Sequence, residues 1–132
     1  MNSIDLGLLV LRIVAGLVFA AHGAQKTFGW WSGPGISGWR AAMERMGLRP
    51  AGFWAPVSAL TELLGGLFLA LGLLTPLVAA LAIGQAVVII ERGHWANGFW
   101  NGNRGFEFPL TLAATFVTLA ITGPGAISLD GA

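Results

Sequence analysis

The chain contains no cysteine and few charged residues. Without cysteine among its 132 residues, it forms no disulfide and supplies no thiolate to zinc or to an iron–sulfur cluster. Charged residues make up 10% of the sequence, whereas soluble domains average about 25%. The net charge of +1 gives no electrostatic basis for binding nucleic acid. Because 55% of the residues are hydrophobic and the mean hydropathy is +0.75, the composition predicts an integral membrane protein.

Four apolar stretches approach the length of about 20 residues that a membrane-spanning helix requires. We predict an all-α membrane protein in which residues 1–132 form one domain, a four-transmembrane-helix bundle. A short helix between spans one and two, at 39–48, carries Trp39, Met43 and Met46 on one side, which is typical of a helix lying at the membrane interface. The predicted spans are 6–28, 53–74, 76–92 and 107–122.

The two long loops of this bundle hold most of its tryptophan and basic residues. Five of the six tryptophans lie in these loops, as expected for a residue that favours the headgroup region. Six of the seven basic residues belong to the loop side, and only Arg12 lies within a span on the other side. The positive-inside rule therefore predicts cytoplasmic long loops, with both termini outside.

Arg12 lies inside the first apolar span, where a charge is costly and usually marks a functional site. Arg12, Phe19, His22 and Lys26 follow one another at steps of three, four or seven residues, which places them on one helical face. Gln25 lies beside the loop-side end of that face. A rise of about 1.5 Å per residue puts Arg12 much deeper than His22. We therefore predict that Arg12 forms the floor of a polar cavity open at the loop side.

Glu62 lies near the middle of the second span, on a face of small residues that includes Ser58 and Gly65. A carboxylate at that depth needs a partner or a proton, and Arg12 is a candidate partner despite the difference in depth. The candidate catalytic residues are Glu62 and His22. The candidate ligand-binding residues are Arg12, Phe19, Gln25, Lys26, Trp54 and Glu107.

Several motifs are shared with a known family. They are Leu11-Arg12, His22-Gly23-x-Gln25-Lys26-x-Phe28-Gly29, Glu62-Leu63-Leu64-Gly65-Gly66, Asn97-Gly98-Phe99, Gly105-Phe106-Glu107-Phe108-Pro109-Leu110 and Gly123-Pro124-Gly125. Together they resemble the DoxX family of small bacterial and archaeal membrane proteins, over nearly the whole chain. The resemblance implies a four-helix bundle in the cytoplasmic (inner) membrane and association with a quinone-linked oxidoreductase complex.

The first function that fits these residues is a quinone-binding subunit of an oxidoreductase complex. His22, Gln25 and Lys26 can donate hydrogen bonds to quinone oxygens, and Glu62 and Glu107 can supply protons. No residue of the chain carries electrons reversibly by the usual means. Electrons would therefore come from a redox partner protein, a partner subunit or a bound cofactor.

Three other functions remain open from the sequence. A non-catalytic membrane anchor or scaffold uses the polar residues only to bond helices together. A small transporter or proton path is less favoured, because no inverted repeat is evident. A metal or haem site is disfavoured by the lack of an H-x-x-x-H or E-x-x-H pair on any predicted helix. Whether the bundle forms homo-oligomers is also open.

Overall fold

The computed structural model describes residues 2–132, and every regular element in that range is helical. Met1, the first residue of the predicted domain, lies outside the described residues. Helix α1 begins at a capping box, in which the Asn2 side chain accepts a hydrogen bond from the Asp5 backbone and Asp5 accepts one in return. The helices are α1 Ser3–Phe28, α2 Gly35–Arg45, α3 Ala51–Leu71, α4 Thr75–Ile89 and α5 Glu107–Thr122.

Three helical stretches are long and apolar enough to cross a membrane, and these are Ser3–Phe28, Ala51–Leu71 and Thr75–Asn97. The third is longer than the predicted span at 76–92, because α4 continues through a π-helical segment, Ile90–His94, and a 3₁₀ turn. Helix α5 has the predicted bounds but contains only 16 residues. The short helix predicted at 39–48 begins earlier, at Gly35.

Helices α1 and α3 approach each other through glycines. A Cβ atom added at Gly23 would overlap the Leu63 backbone nitrogen, and one added at Gly66 would overlap that of Ala20. A Cβ atom at Gly16 would lie 2.6 Å from the Gly66 carbonyl oxygen. The two backbones are therefore closer than any larger residue permits. The short distance between the two helices brings together the side chains of α1 and α3 that face each other.

We expect Gly23→Ala to lower the free energy of unfolding by about 1–3 kcal/mol, because its methyl group would force the α1 and α3 backbones apart. Thermal unfolding in detergent micelles, monitored by circular dichroism, measures this loss of stability. Gly7→Ala on the same helix is the matched control, since nothing lies within 4 Å of a Cβ atom added there. Equal melting temperatures for the two variants would contradict the close packing.

The segment after α5 closes the end of the bundle opposite the long loops. The Asp130 carboxylate accepts hydrogen bonds from the backbone nitrogens of Thr75 at 2.9 Å and Leu74 at 2.8 Å, which caps the start of α4. These bonds, chiefly the one from Thr75, hold the pKa of Asp130 below its ordinary value. Asp5 accepts a further bond from the Ala126 backbone nitrogen at 3.0 Å. The starts of α1 and α4 are thus both tied to the last residues of the chain.

Candidate functional site

A cavity of about 490 Å³ opens at the long-loop end, lined by all five helices. This volume lies in the range of about 300–1,000 Å³ that is usual for small-molecule sites. Its inner end includes Phe19 and Phe116, whose ring centroids are 4.8 Å apart and which belong to the main buried core. Between this floor and the mouth the lining includes His22, Lys26, Trp39, Glu62, Gln85 and Phe108.

Glu62 is the one carboxylate among the described residues that line the cavity, and it is only 5% exposed. Its Oε1 atom accepts hydrogen bonds from Lys26 Nζ at 2.5 Å and from Gln85 Nε2 at 2.7 Å. Its Oε2 atom is buried and has no hydrogen-bond partner. Buried polar atoms are rarely left unpaired, because losing hydration without a partner is costly. Glu62 therefore has one carboxylate oxygen without a donor from the described residues.

Lys26 is held at the cavity wall by two other side chains. Besides its ion pair with Glu62, the ammonium nitrogen lies 4.0 Å from the centroid of the Trp39 ring, a favourable cation–π arrangement. Trp39 and Met43 are both buried, so the apolar side of α2 faces the protein. Helix α2 therefore covers the ion pair from the loop side.

The outer part of the cavity is rich in positive charge. The π-helical segment after α4 places Arg92 and His94 in the lining, and Arg45 and Arg104 join them from α2 and the last loop. Segments of this kind often occur at functional sites, because the widened turn redirects side chains. Since Glu62 is already paired with Lys26, the mouth favours electron-rich or anionic groups. Among residues 2–132, no three histidine, aspartate or glutamate side chains are grouped so as to hold a metal ion.

Half of the predicted site residues line this cavity, namely Phe19, His22, Lys26 and Glu62. The His22 ring lies 5.2 Å from the ring of Phe108, centroid to centroid. Gln25 instead donates a hydrogen bond to the Trp31 carbonyl oxygen at 3.3 Å. Glu107 accepts one from the backbone nitrogen of Asn101 at 3.0 Å. Trp54 lines a separate groove on the other side of α3 and α4.

Arg12 lies away from the cavity, and the partner of Glu62 is Lys26. The Arg12 side chain is 1% exposed and donates hydrogen bonds to three carbonyl oxygens, those of Leu69 at 3.1 Å, Ala70 at 3.3 Å and Pro124 at 2.6 Å. Two of these carbonyls end α3, where backbone oxygens lack helical partners. Helical spacing alone cannot locate such oxygens. Arg12 therefore joins α1, α3 and the C-terminal segment instead of forming the cavity floor.

The sequence does not single out Trp39, Gln85 or Phe108 as site residues. Gln85 does carry a signal, because it is the one amide within the otherwise apolar stretch of α4, and polar groups inside membrane helices are often functional. Trp39 and Phe108 carry none, since aromatic residues near helix ends are common at membrane interfaces. Their position in the cavity lining depends on the way α2 and α5 pack over α1.

Comparison with known proteins shows similarity along most of the chain. The DoxX family model matches residues 7–95. The protein named "Inner membrane protein YqjF" from Escherichia coli is 36% identical over 128 residues, which cover 96% of this chain and 91% of that protein. The "Putative oxidoreductase CatD" of Bacillus subtilis is 31% identical over 98% of this chain and 88% of its own length. No solved structure matches the chain.

Proposed function

The chain belongs to the DoxX family of membrane proteins, and from that premise we propose that it binds a quinone as a subunit of a quinone-linked oxidoreductase complex. The observation that carries the proposal is the buried Glu62 in the cavity, with Lys26 on one carboxylate oxygen and no donor on the other. A related protein bears an oxidoreductase name, which supports redox chemistry. The lipid bilayer supplies the quinone.

The residues of the cavity suit the polar and flat parts of a quinone. The Lys26 ammonium can donate a hydrogen bond to a quinone oxygen, and the free Glu62 oxygen can accept one from a quinol hydroxyl. The rings of His22 and Phe108 offer surfaces against which the quinone ring can stack. These groups orient the ring and hold protons beside its oxygens.

Reduction of a quinone to a quinol consumes two electrons and two protons. The electrons come from a redox partner protein or a cofactor bound to it, because no side chain of this chain is a reversible electron carrier. The Lys26 ammonium holds the proton nearest the ring, and the Glu62 carboxylate, ionised in its pair with Lys26, can take up a proton and pass it on. His22 lies one turn from Lys26 on the same face of α1 and can supply the second proton. Protons are replaced through the open, loop-side mouth of the cavity. Glu62 and His22 thus act as proton carriers in the proposed reaction.

We further propose that α5 crosses the membrane as a fourth span and that α2 lies at the interface over the cavity. At about 1.5 Å per residue, the 16 residues of α5 cover about 24 Å of a hydrocarbon core about 30 Å thick. The flanking segments complete the crossing. The arginines of the mouth then lie on the cytoplasmic side, and both termini lie outside.

A membrane scaffold without a ligand is the second candidate function, and Arg12 favours it. The three hydrogen bonds of Arg12 join separate parts of the chain, so at least one charge buried within the helices is structural. In such a scaffold, the ion pair between Lys26 and Glu62 would likewise serve only to join helices. The two functions differ in whether a quinone binds, and a binding measurement separates them.

Titration of the purified protein in lipid nanodiscs with ubiquinone-1 or menaquinone-1 tests the proposed function. We expect saturable quenching of tryptophan fluorescence, because Trp39 lines the cavity. Trp39→Phe should lose most of the saturable part, whereas Trp95→Phe, which alters a 64% exposed side chain, should keep it. Quenching that rises without saturation, and equally in both variants, would refute quinone binding in this cavity.

A further inference from the structure

A second cavity, of about 410 Å³, lies between α3 and α4 beneath the end of α2. We call it the α3–α4 groove, and it is lined mainly by apolar side chains. Three of these, Trp54, Leu81 and Val88, are exposed at the surface of the described chain. Because α3 and α4 both belong to stretches able to span a membrane, we expect this groove to open towards lipid.

The groove and the polar cavity share a wall. Gln85 and Ile89 line both of them. On the cavity side, Gln85 Nε2 donates its hydrogen bond to Glu62 at 2.7 Å. A single flexible side chain therefore lies between the apolar groove and the buried carboxylate. Movement of the Gln85 side chain would connect the two spaces.

Ser58 supplies a polar group at this junction. It lies one helical turn before Glu62 on α3, lines the groove and is 6% exposed, yet its hydroxyl oxygen has no hydrogen-bond partner. Hydroxyls in apolar helices usually bond to a carbonyl of their own helix, as Thr61 does with the Val57 oxygen at 2.7 Å. The Ser58 hydroxyl is thus available to a polar group that passes from the groove into the cavity.

The groove also contains unfilled space next to α4. A Cβ atom added at Gly84 would have nothing within 4 Å, although Gly84 lines the groove. Two adjoining spaces of opposite character, one polar and one apolar, match a molecule with a polar ring and an apolar chain. A water-soluble substrate without an apolar part would leave the apolar space unfilled.

We propose that the α3–α4 groove holds the isoprenoid tail of the quinone, and that the ring reaches the cavity from the lipid by passing Ser58 and Gln85. This inference rests on the proposed function, since it assumes that the ring lies beside Glu62. To the proposed function, the inference adds the route by which the quinone enters and the part of the quinone that the groove recognises. Binding therefore depends on the tail as well as on the ring.

Filling the groove with Gly84→Phe tests this inference. Affinities for ubiquinone-0, which has no tail, and ubiquinone-2, which has two isoprene units, are measured in nanodiscs of the same lipid. We expect the variant to bind ubiquinone-2 about tenfold more weakly, the factor that losing about two buried methylene groups costs, and to bind ubiquinone-0 as the unchanged protein does. Gly7→Phe is the matched control, because Gly7 is also a helical glycine with open space around it.

The outcomes of this experiment distinguish failure of the inference about the groove from failure of the proposed function. If the unchanged protein binds ubiquinone-0 and Gly84→Phe weakens neither quinone, or weakens both equally, the tail does not occupy the groove. If the unchanged protein binds neither quinone, the proposed function fails and the inference fails with it. Retained binding of ubiquinone-0 also shows that the variant is folded.

Photo-crosslinking of the unchanged protein gives a second measurement that needs no variant. A ubiquinone with a diazirine at the end of its tail should label the groove residues Trp54, Leu81 or Val88. Val10 and Leu17 are the internal controls, since they are exposed apolar residues of α1 away from the groove. Labelling of α1 to the same extent as of the groove would overturn the inference.

Discussion

Glu62→Leu should destabilise the protein, and adding Lys26→Met should restore its stability without restoring quinone binding. The single change leaves Lys26, whose side chain is 16% exposed, without its carboxylate, and breaking a buried pair in this way costs about 3–5 kcal/mol. Replacing both partners by apolar residues is often neutral or stabilising. The measurements are thermal unfolding in micelles and quinone titration of the single and double variants.

The double variant shows whether the pair of Lys26 and Glu62 itself belongs to the quinone site. If the pair only bonds α1 to α3, Lys26→Met with Glu62→Leu should behave as the unchanged protein in every assay, quinone binding included. If the pair binds the quinone ring, the double variant should fold and bind none. Glu91→Gln is the control, because that carboxylate is 71% exposed and 3.9 Å from its arginine partner, and exposed pairs contribute little. Normal quinone binding by the double variant would contradict the proposed site.

Arg12→Leu is expected to lower the free energy of unfolding by about 3 kcal/mol or more, because hydrogen bonds to a charged group contribute about 1.5–3 kcal/mol each. The change also leaves three carbonyl oxygens with one donor fewer, at the point where α1, α3 and the C-terminal segment meet. Thermal unfolding in micelles measures the loss. Quinone affinity of the folded protein should be unchanged, since Arg12 does not line the cavity.

Arg49→Leu is the matched control for Arg12, since Arg49 is exposed between α2 and α3, and exposed substitutions usually change stability by less than about 0.5 kcal/mol. Equal stability of the Arg12 and Arg49 variants would contradict a structural role for Arg12. Loss of quinone binding at unchanged stability would place Arg12 in the binding site instead.

Elements with clear sequence boundaries could be predicted closely. Helix α5 begins at Glu107 and ends at Thr122 as its sequence indicates, because the apolar run is followed by Gly123 and Pro124, which end helices. The apolar runs in the sequence match α1 and α3 to within a few residues at their ends. The third span is longer than its apolar run predicts, because a run with polar residues such as Glu91 and Arg92 does not predict a continued helical turn.

The neighbours of each site residue were harder to predict than its helical face. Spacing places His22 and Lys26 together on α1, but it does not show that Lys26 reaches Glu62. That contact depends on the depth at which α1 and α3 cross, which glycines such as Gly23 and Gly66 determine. The carbonyl partners of Arg12 depend in addition on the path of the C-terminal segment, which has no periodic pattern.

The central claim is that a quinone ring lies beside Glu62, and photolabelling with a ring-substituted azidoquinone tests it most directly. The protein in nanodiscs is irradiated with the label, digested and mapped by mass spectrometry, with and without an excess of unlabelled quinone. The account predicts labelling of residues that line the cavity, such as Trp39, His22 and Phe108, and loss of this labelling under competition. Labelling confined to the outward faces of the helices, or labelling that excess quinone does not reduce, would contradict it.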